Sequence, residues 1–295
     1  MEILQPDSWG EALELKAAHP EAVPIAGGTD LMVELNFDRI RPAAILDLTR
    51  VRELQEWAPD DGRLRVGAGV SYTRLIAELG DRLPGLAIAS RTVGSPQIRN
   101  RGTVGGNLGT SSPAGDGLPP LYAAEAEIEI ASTARSRRIP VAEFITGPKR
   151  NCLAPDELIA AFHVPPADGP EQFAKIGTRN AMVIAVCSLA LDVSREQRTV
   201  TACIGSAGPT PIRAADAERF IAGVLDEHGL WDSPAPISDA ALTRFGEFVE
   251  MAARPIDDVR GTAAYRHHAL RVLGRRTLTW AWQQYRGEAG WCACG

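Results

Sequence analysis

The sequence lacks the common short motifs of nucleotide binding and hydrolysis. It contains no Gly-x-Gly-x-x-Gly fingerprint, no phosphate loop ending in Gly-Lys-Ser/Thr, no His-Glu-x-x-His and no Gly-x-Ser-x-Gly. The run Val66–Tyr72 begins like the first of these motifs but lacks its final glycine. The five histidines are scattered or adjacent, and none has a triad partner that the sequence identifies. General acid–base or nucleophilic catalysis by this chain is therefore unsupported.

Cysteine is scarce, and its spacing excludes the usual metal and disulfide frameworks. The five cysteines contain no Cys-x-x-Cys pair of the zinc or iron–sulfur kind, so we expect reduced thiols. Cys187 and Cys203 lie in apolar, strand-like runs and are expected to be small buried side chains. Cys292 and Cys294 belong to a terminal Trp-Cys-Ala-Cys-Gly, which we expect to be a mobile tail. A metal role for that pair would need further ligands.

Excess positive charge is also missing. The net charge of −6 disfavours sequence-independent nucleic-acid binding, which needs a basic surface, but it is compatible with a small anion held by backbone amides. The N-terminus shows neither a basic start nor an apolar run long enough for a signal peptide or membrane span. These features predict a cytoplasmic protein with no membrane span. Hydrophobic and charged contents of 45% and 23% exclude the disordered and fibrous classes.

Two glycine-rich turns are the most informative features that are present. The first is Ala26–Asp30, and the second lies within the stretch Thr92–Asn107. Glycine lets backbone N–H groups approach an anion closely, and it adopts positive φ at little cost. Two such turns can grip one pyrophosphate from both sides.

Each turn also has an ordinary interpretation. The Gly27-Gly28 pair could be a plain strand-to-helix turn, although amides at a helix N-terminus favour anions. Because a pyrophosphate would repel its carboxylate, we assign Asp30 to capping or to distant hydroxyls. Phosphate contact then falls to the backbone of Gly27, Gly28 and Thr29.

A polar loop follows the second turn, Thr103–Asn107. It offers hydroxyl, amide and carboxylate groups that suit the ribityl and ribose hydroxyls of a dinucleotide, at Asn107, Thr110, Ser111, Ser112 and Asp116. Asp116 could accept from such a hydroxyl or simply cap its own loop.

Three cations near these segments remain ambiguous. Arg99 and Arg101 could stabilise negative charge or could be solvated. Lys175 alternates with apolar neighbours and could point either into a cofactor cleft or into water.

The hydrophobic pattern predicts three structural regions. The first carries a capping box at Ser8–Glu11, a helix ended by His19-Pro20, a buried strand at 23–26, a helix capped by Thr29 or Asp30, and a strand at 44–48 with parallel pairing. The second carries an alternating strand at 63–67, a hairpin of 126–131 with 137–141, and a strand at 157–164 before the loop 165–170. The third carries strands at 182–193 and 199–204, then helices near 214–221, 239–253 and 265–285.

Several long motifs, taken together, resemble the FAD-binding medium subunits of the molybdenum hydroxylase family, particularly those of the xanthine dehydrogenase type. They cover nearly the whole chain, at Pro24–Leu31, Gln97–Asn107, Ser112–Asp116, Lys175–Arg179, Ala207–Arg213 and Asp258–Arg266. The resemblance implies an α/β + α+β architecture, the FAD-binding fold of the vanillyl-alcohol oxidase and xanthine dehydrogenase type. Its implied parts are two subdomains enclosing FAD, at 1–60 (α/β) and 61–170 (α+β), a C-terminal α+β domain at 171–286, and a tail at 287–295.

The resemblance also implies which residues contact FAD. The turn residues would surround the pyrophosphate and neighbouring ribityl atoms: Pro24, Ile25, Ala26, Gly27, Gly28, Thr29, Asp30, Leu31, Thr103, Val104, Gly105, Gly106 and Asn107. Asp116 would bind sugar or ribityl hydroxyls, and Ile159 would lie by the adenine. Lys175 and Val93 would lie near the flavin, where some relatives have an aromatic residue in place of Val93. No histidine or cysteine occurs near the turns, so we expect FAD to be non-covalent.

The implied function is electron transfer within a complex. A large molybdenum-cofactor subunit would oxidise the substrate, and a small subunit with two 2Fe–2S clusters would pass electrons to this FAD and then to NAD or another acceptor. We expect a heterotrimer that dimerises, with xanthine or another purine as substrate. Carbon monoxide, an aldehyde or another N-heterocycle is an alternative.

Two further functions remain open at this point. One is a self-sufficient flavin oxidase that binds its own substrate, and the other is a non-enzymatic nucleotide-binding scaffold. An arginine-rich C-terminal segment could contact a partner subunit or face solvent. It comprises Arg254, Arg260, Arg266, Arg271, Arg275, Arg276 and Arg286.

Overall fold

The structure is a computed structural model that describes residues 1–288. Its α-helices are α1 (Trp9–Ala18), α2 (Leu31–Asn36), α3 (Tyr72–Leu79), α4 (Pro84–Arg91), α5 (Pro96–Arg101), α6 (Val104–Thr110), α7 (Leu118–Ala123), α8 (Val141–Phe144), α9 (Ala215–Glu227), α10 (Asp239–Ala252) and α11 (Ala263–Tyr285). Its strands are β1 (Glu2–Leu4), β2 (Val23–Ile25), β3 (Ala44–Asp47), β4 (Trp57–Asp60), β5 (Arg63–Gly67), β6 (Glu127–Ala131), β7 (Ser136–Pro140), β8 (Ile145–Gly147), β9 (Arg150–Asn151), β10 (Leu158–Val164), β11 (Glu171–Ile176), β12 (Cys187–Ser194), β13 (Thr199–Gly205) and β14 (Ile212–Arg213).

The chain forms two compact units, and the first combines Met1–Ala77, Ser95–Ser112 and Glu125–Pro165. Its N-terminal part is a three-stranded parallel sheet in the order β1-β3-β2. The capping box is confirmed, because the Ser8 hydroxyl accepts a hydrogen bond from the Glu11 amide and α1 ends before His19. The predicted strand at 23–26 is present as β2, but Pro24 is exposed and its neighbours are only half buried.

The first unit also contains a five-stranded antiparallel sheet, in the order β4-β5-β10-β6-β7. The predicted hairpin is confirmed, with Glu127 opposite Pro140 and Ala131 opposite Ser136. Every residue of the central strand β10 is buried, which is typical of a strand with neighbours on both sides. A polar exception inside it, His163, lies with Nε2 2.7 Å from Glu129 Oε2 and Nδ1 3.1 Å from Asp60 Oδ2.

The second unit combines Glu78–Gly94, Pro113–Ala124 and the described chain from Pro166 onward. It is built on the antiparallel sheet β11-β12-β13-β14. Alternate residues of β12, such as Leu189 and Leu191, join a core with helices α9, α10 and α11. Helices α4 and α7 also pack against this sheet. Because Glu171 pairs with Asp192 and Lys175 with Ser188, these four residues share the face opposite that core.

The sequence missed some elements and misplaced others. Strand β12 begins only at Cys187, so the predicted strand residues 182–186 are wrong. Strands β1 and β4 were not predicted, and β4 ends at the Pro59-Asp60 pair. Cys187 and Cys203 are fully buried, as expected. Cys292 and Cys294 lie outside the described residues, and the division of the chain at residues 60 and 170 stays a prediction.

One of the C-terminal arginines is not a surface residue. Arg266 is 2% exposed, donates to the Ser206 carbonyl oxygen at 2.8 Å and forms an ion pair with Asp258. It therefore supports the local fold and is unavailable to solvent. The guanidinium groups of Arg260 and Arg266 hold the pKa of Asp258 well below its usual range, against the opposing effect of burial.

Within residues 1–288, none of the helices has the length and apolar character needed to cross a bilayer.

The crossing of α10 and α11 depends on two glycines. A Cβ on Gly246 would lie 2.4 Å from the Arg271 carbonyl oxygen, and one on Gly274 would lie 3.0 Å from the Gly246 Cα. We expect Gly246→Ala to lower the free energy of unfolding by about 1–3 kcal/mol, because the helices must separate. Urea unfolding measures the change. In α9, a Cβ on Gly223 meets nothing within 4 Å, so Gly223→Ala should stabilise by up to about 1 kcal/mol. Equal effects of both substitutions would refute the close crossing.

Candidate functional site

The first glycine turn connects β2 to α2. Gly28 has a φ of +76°, a left-handed conformation that favours glycine. The Met32 amide donates to the Gly28 carbonyl oxygen at 3.0 Å, so the turn leads directly into the helix. The strand-turn-helix arrangement predicted at this position is therefore confirmed.

Asp30 occupies the N-cap position of α2 but does not cap it through its side chain. Its Oδ2 instead accepts a hydrogen bond from the Thr110 hydroxyl at 2.9 Å. The expectation that its side chain caps the helix is wrong, whereas contact with a hydroxyl is present, supplied by the protein itself. Lys149 Nζ, 2.7 Å from Glu34 Oε1, tethers the same helix from the β8–β9 turn.

The second glycine turn is the start of α6. Thr103 is its N-cap, and the Thr103 hydroxyl accepts the Gly106 amide at 2.8 Å. Gly105 packs against the backbone of Ala68, since a Cβ on Gly105 would lie 2.3 Å from the Ala68 carbonyl oxygen. Val104 and Gly105 are buried, while Gly106 and Asn107 are half buried. The packing of Gly105 against Ala68 thus fixes the position of the N-terminal turn of α6.

The two turns, far apart in sequence, lie against each other in the first unit. A Cβ on Gly27 would lie 1.9 Å from the Arg101 carbonyl oxygen and 2.9 Å from the Gly102 Cα. The contact is therefore backbone to backbone. By contrast, a Cβ on Gly106 would meet only the Thr103 hydroxyl, at 3.1 Å. Space beside Gly106 is open, which suits a group approaching the α6 amides.

Two more predicted residues can be placed relative to this pair of turns. Ile159, on β10, is 9% exposed and lies 3.8 Å from the Cβ position of Gly109 in α6. Gly27 packs against the backbone of Arg101, and Arg101 is exposed. The interpretation of Arg99 and Arg101 as anion-binding side chains stays a prediction.

In the second unit, Lys175 and Asp116 form a buried ion pair. Lys175 Nζ lies 2.6 Å from Asp116 Oδ2, and the side chains are 7% and 9% exposed. Lys175 also donates to the carbonyl oxygens of Thr92 at 2.9 Å and Val183 at 3.1 Å. The Thr92 hydroxyl donates to Asp116 Oδ2 at 3.3 Å. Lys175 therefore does not face water, and the alternative of a solvated lysine is wrong.

Asp116 keeps one oxygen free in this arrangement. Its Oδ1 is buried and has no hydrogen-bond partner among the described residues. Burial raises the pKa of the Asp116 carboxyl, and the nearby ammonium group of Lys175 opposes that shift. An unpaired buried acceptor is costly unless a donor reaches it, so Oδ1 suits a hydroxyl-bearing ligand.

Sequence reasoning missed contacts in both parts of the candidate site. These parts are the pair of glycine turns and the Lys175 group, which consists of Lys175, Asp116 and Thr92. Thr92 contributes its carbonyl and hydroxyl to the Lys175 group, and Ala68 supports Gly105. Both are backbone or hydroxyl contacts between distant segments, which no local pattern reports. Val93 directly follows Thr92, and its amide donates to the Ser90 carbonyl oxygen at 3.1 Å.

Comparison with known proteins shows the family of the chain. The family described as the FAD binding domain in molybdopterin dehydrogenase matches residues 1–167, and the CO dehydrogenase flavoprotein C-terminal domain matches residues 172–281. The chain belongs to the FAD-binding subunits of the molybdenum hydroxylases. It is thus a subunit of an oxidoreductase, and FAD is its cofactor.

Similar proteins span nearly the same length. A putative xanthine dehydrogenase FAD-binding subunit of Escherichia coli strain K12 is 30% identical over 280 residues, which cover 91% of each chain. The nicotinate dehydrogenase FAD-subunit of Eubacterium barkeri is 30% identical over 235 residues, covering 75% of this chain and 79% of that one. The solved carbon monoxide dehydrogenase of Hydrogenophaga pseudoflava includes a chain with a TM-score of 0.85 and 25% identity, with 97% of this chain and 98% of that chain covered. The FAD-binding α/β and α+β fold implied by the sequence is confirmed.

The buried ion pair yields a stability prediction for the FAD-free protein. Lys175→Met should destabilise it by about 3–5 kcal/mol, because the buried Asp116 carboxylate then loses the ammonium group that neutralises it. Of the two side chains that donate to Asp116, Lys175 carries the charge, and Thr92 is neutral. Urea unfolding measures the loss. The double variant Lys175→Met, Asp116→Asn removes both charges and should recover much of it. A wild-type unfolding midpoint for Lys175→Met would contradict the burial of the pair.

Proposed function

We propose that this FAD-binding subunit accepts electrons from the iron–sulfur clusters of a small partner subunit and passes them to NAD. A large partner subunit with a molybdenum cofactor would oxidise the substrate, which we take to be xanthine or another purine. The observation that carries the proposal is the similarity to xanthine dehydrogenase FAD-binding subunits over 91% of each chain. The nicotinate dehydrogenase relative supports a nitrogen heterocycle more broadly.

The glycine turns of the first unit would hold the pyrophosphate. The residues proposed for this contact are Pro24 to Leu31 and Thr103 to Asn107, and their amides can donate to phosphate oxygens. The open space beside Gly106 fits such a group, and the packing of Gly27 on Arg101 fixes the two turns against each other. Ile159, next to α6, would provide an apolar surface for the adenine.

The Lys175 group of the second unit would bind the ribityl and flavin portions. The buried Asp116 Oδ1 can accept a hydrogen bond from a ribityl or sugar hydroxyl. Lys175 holds Asp116 in place and carries a positive charge that favours electron density on a nearby flavin. Val93 would contact the flavin ring as an aliphatic residue, without aromatic stacking.

When bound, FAD supplies the means to accept electrons singly and to deliver them as a hydride to a nicotinamide. The chain's own contribution is to bind and orient the cofactor non-covalently and to keep the charges around it fixed. The substrate would then be chosen by the partner that carries molybdenum.

The proposed function predicts a clear dependence on partners. The purified native complex, kept free of oxygen, should reduce its flavin when xanthine is added and should reduce NAD during turnover. The isolated chain with bound FAD should be unaffected by xanthine, because the proposal places the substrate site in the molybdenum-binding partner. Flavin absorbance and NADH formation measure both. Reduction of the isolated chain by xanthine would instead establish a self-sufficient oxidase.

Substitution at the second turn tests the pyrophosphate contact. Gly106→Val places a branched side chain in the open space beside the α6 amides and should yield folded but flavin-free protein. The flavin-to-protein absorbance ratio measures occupancy, and circular dichroism checks folding.

Gly10→Val is the control, because Gly10 is a helical glycine of the first unit whose Cβ position meets nothing within 4 Å, whereas a Cβ on Gly106 would lie 3.1 Å from the Thr103 hydroxyl. It carries the same helix-propensity change and should retain FAD. Full flavin occupancy in Gly106→Val would remove the assigned contact.

A further inference from the structure

Glu171 is a buried acid at the start of β11 that the proposed function does not use. It is 6% exposed, and its Oε2 accepts a hydrogen bond from the Gly85 amide at 2.7 Å. Gly85 is the second residue of α4, so this carboxyl binds the N-terminal turn of that helix. A Cβ on Gly85 would lie 2.9 Å from the Glu171 Cβ, which shows how closely helix and strand approach.

The same strand holds the other end of α4. Lys175 donates to the carbonyl oxygen of Thr92, the C-cap residue of α4, at 2.9 Å. Amides are unpaired at a helix N-terminus and carbonyls at its C-terminus, so an acceptor suits the first end and a cation suits the second. Both side chains lie on the face of β11 that α4 packs against.

The spacing of these two contacts matches the length of the helix. Glu171 and Lys175 are four residues apart on a strand, about 13 Å at the usual rise per residue. Helix α4 has eight residues, about 12 Å long. One strand can therefore bind both ends of the helix at once.

We propose that Glu171 is a positioning residue for the flavin. Together with Lys175 it holds both ends of α4. This fixes the position of Val93, which follows the helix, and of the Lys175–Asp116 pair. The inference rests on the proposed flavin contacts of these three residues. Glu171 acts through α4 and touches no part of the cofactor itself.

The protonation state of Glu171 gives the proposal a distinctive signature. Burial, together with the carboxylates of Asp192 opposite it and Asp168 nearby, raises the pKa of Glu171 from 4.5 to about 8. At neutral pH the group is therefore largely a neutral carboxylic acid, whose oxygen still accepts from Gly85. A cavity of about 10 Å³, lined by Glu171, Asp192 and Gly85 among others, is large enough for about one water molecule.

The direction of the pH effect follows from this raised pKa. The folded state binds the Glu171 proton more tightly than the unfolded state does. Its contribution to stability is complete below 4.5 and is lost as the pH rises through about 8. Glu171→Gln keeps an acceptor oxygen but cannot ionise, so the contacts of α4 should match those of the wild type at pH 7, where folded Glu171 is largely protonated. Its free energy of unfolding should lack the decline between pH 4.5 and about 8.

The test compares Glu171→Gln and Glu171→Leu in the full chain with FAD bound. In Glu171→Leu the Gly85 amide loses its acceptor, so hydrogen–deuterium exchange across residues 85–93 should be about tenfold faster, and the visible circular dichroism and midpoint potential of FAD should shift. Glu171→Gln should leave all three unchanged at neutral pH. The matched control is Gln172→Leu, because Gln172 donates to Gln284 on α11 and should leave residues 85–93 unaffected.

Two results would overturn the inference. One is wild-type exchange at residues 85–93 in Glu171→Leu, and the other is faster exchange there with an unchanged flavin spectrum and potential. Val93→Leu separates this failure from failure of the proposed contacts. If Val93→Leu shifts the flavin spectrum while Glu171→Leu does not, only the positioning role is wrong. If neither variant shifts the spectrum, the assignment of Val93 to the flavin is wrong.

Discussion

The backbone contact between Gly27 and Arg101–Gly102 is the constraint on which the proposed pyrophosphate site depends. A side chain at position 27 would overlap the Arg101 carbonyl oxygen, so the two loops meet at a distance that only glycine permits. This contact places the end of α5, and with it the Thr103 cap of α6, directly beside the β2–α2 turn. Packing within the protein thus orients the amides of both turns, and such preorganisation reduces the entropy lost on binding.

The contacts proposed for FAD differ in kind between the two units. In the first unit the proposed contacts come mainly from backbone amides, whose positions are set by packing and by the Thr103 cap. In the second unit they come from side chains, and these are held by the ion pair between Lys175 and Asp116. Backbone amides need no counter-charge, whereas a buried carboxylate does. The buried carboxyl of Asp116 therefore depends on Lys175 in a way that the backbone amides of the first unit do not.

Local patterns in the sequence predicted local structure well. The capping box at Ser8, the hairpin of β6 and β7, and the long helix α11 follow from turn chemistry and periodicity over a few residues. The pattern failed where a distant partner decides the outcome. Strand β4 forms because β5 pairs with it despite Pro59, and Arg266 is buried because Asp258 and the Ser206 carbonyl oxygen receive its donors.

The same distinction applies to the candidate site. The glycines alone were enough to predict both turns. The packing of Gly27 on Arg101, however, is seen only in the folded chain. For Lys175, alternation along β11 left both burial and exposure open. Its carboxylate partner is at Asp116 and its carbonyl partners are at Thr92 and Val183, three segments that only the fold assembles. A buried lysine is stable only with such partners, so its environment could not follow from its own strand.

The buried acid at Glu171 shows how a stability cost can accompany a positional requirement. Placing a charged carboxylate opposite Asp192, away from water, is unfavourable, and for that reason burial and Asp192 raise the pKa of Glu171. A hydrophobic residue would avoid it but would leave the Gly85 amide without its acceptor. A neutral amide or carboxylic acid satisfies the amide, and a carboxylic acid does so only while it keeps its proton. The helix that precedes Val93 is therefore held by a group whose charge depends on pH, whereas the opposite end is held by a lysine paired with Asp116.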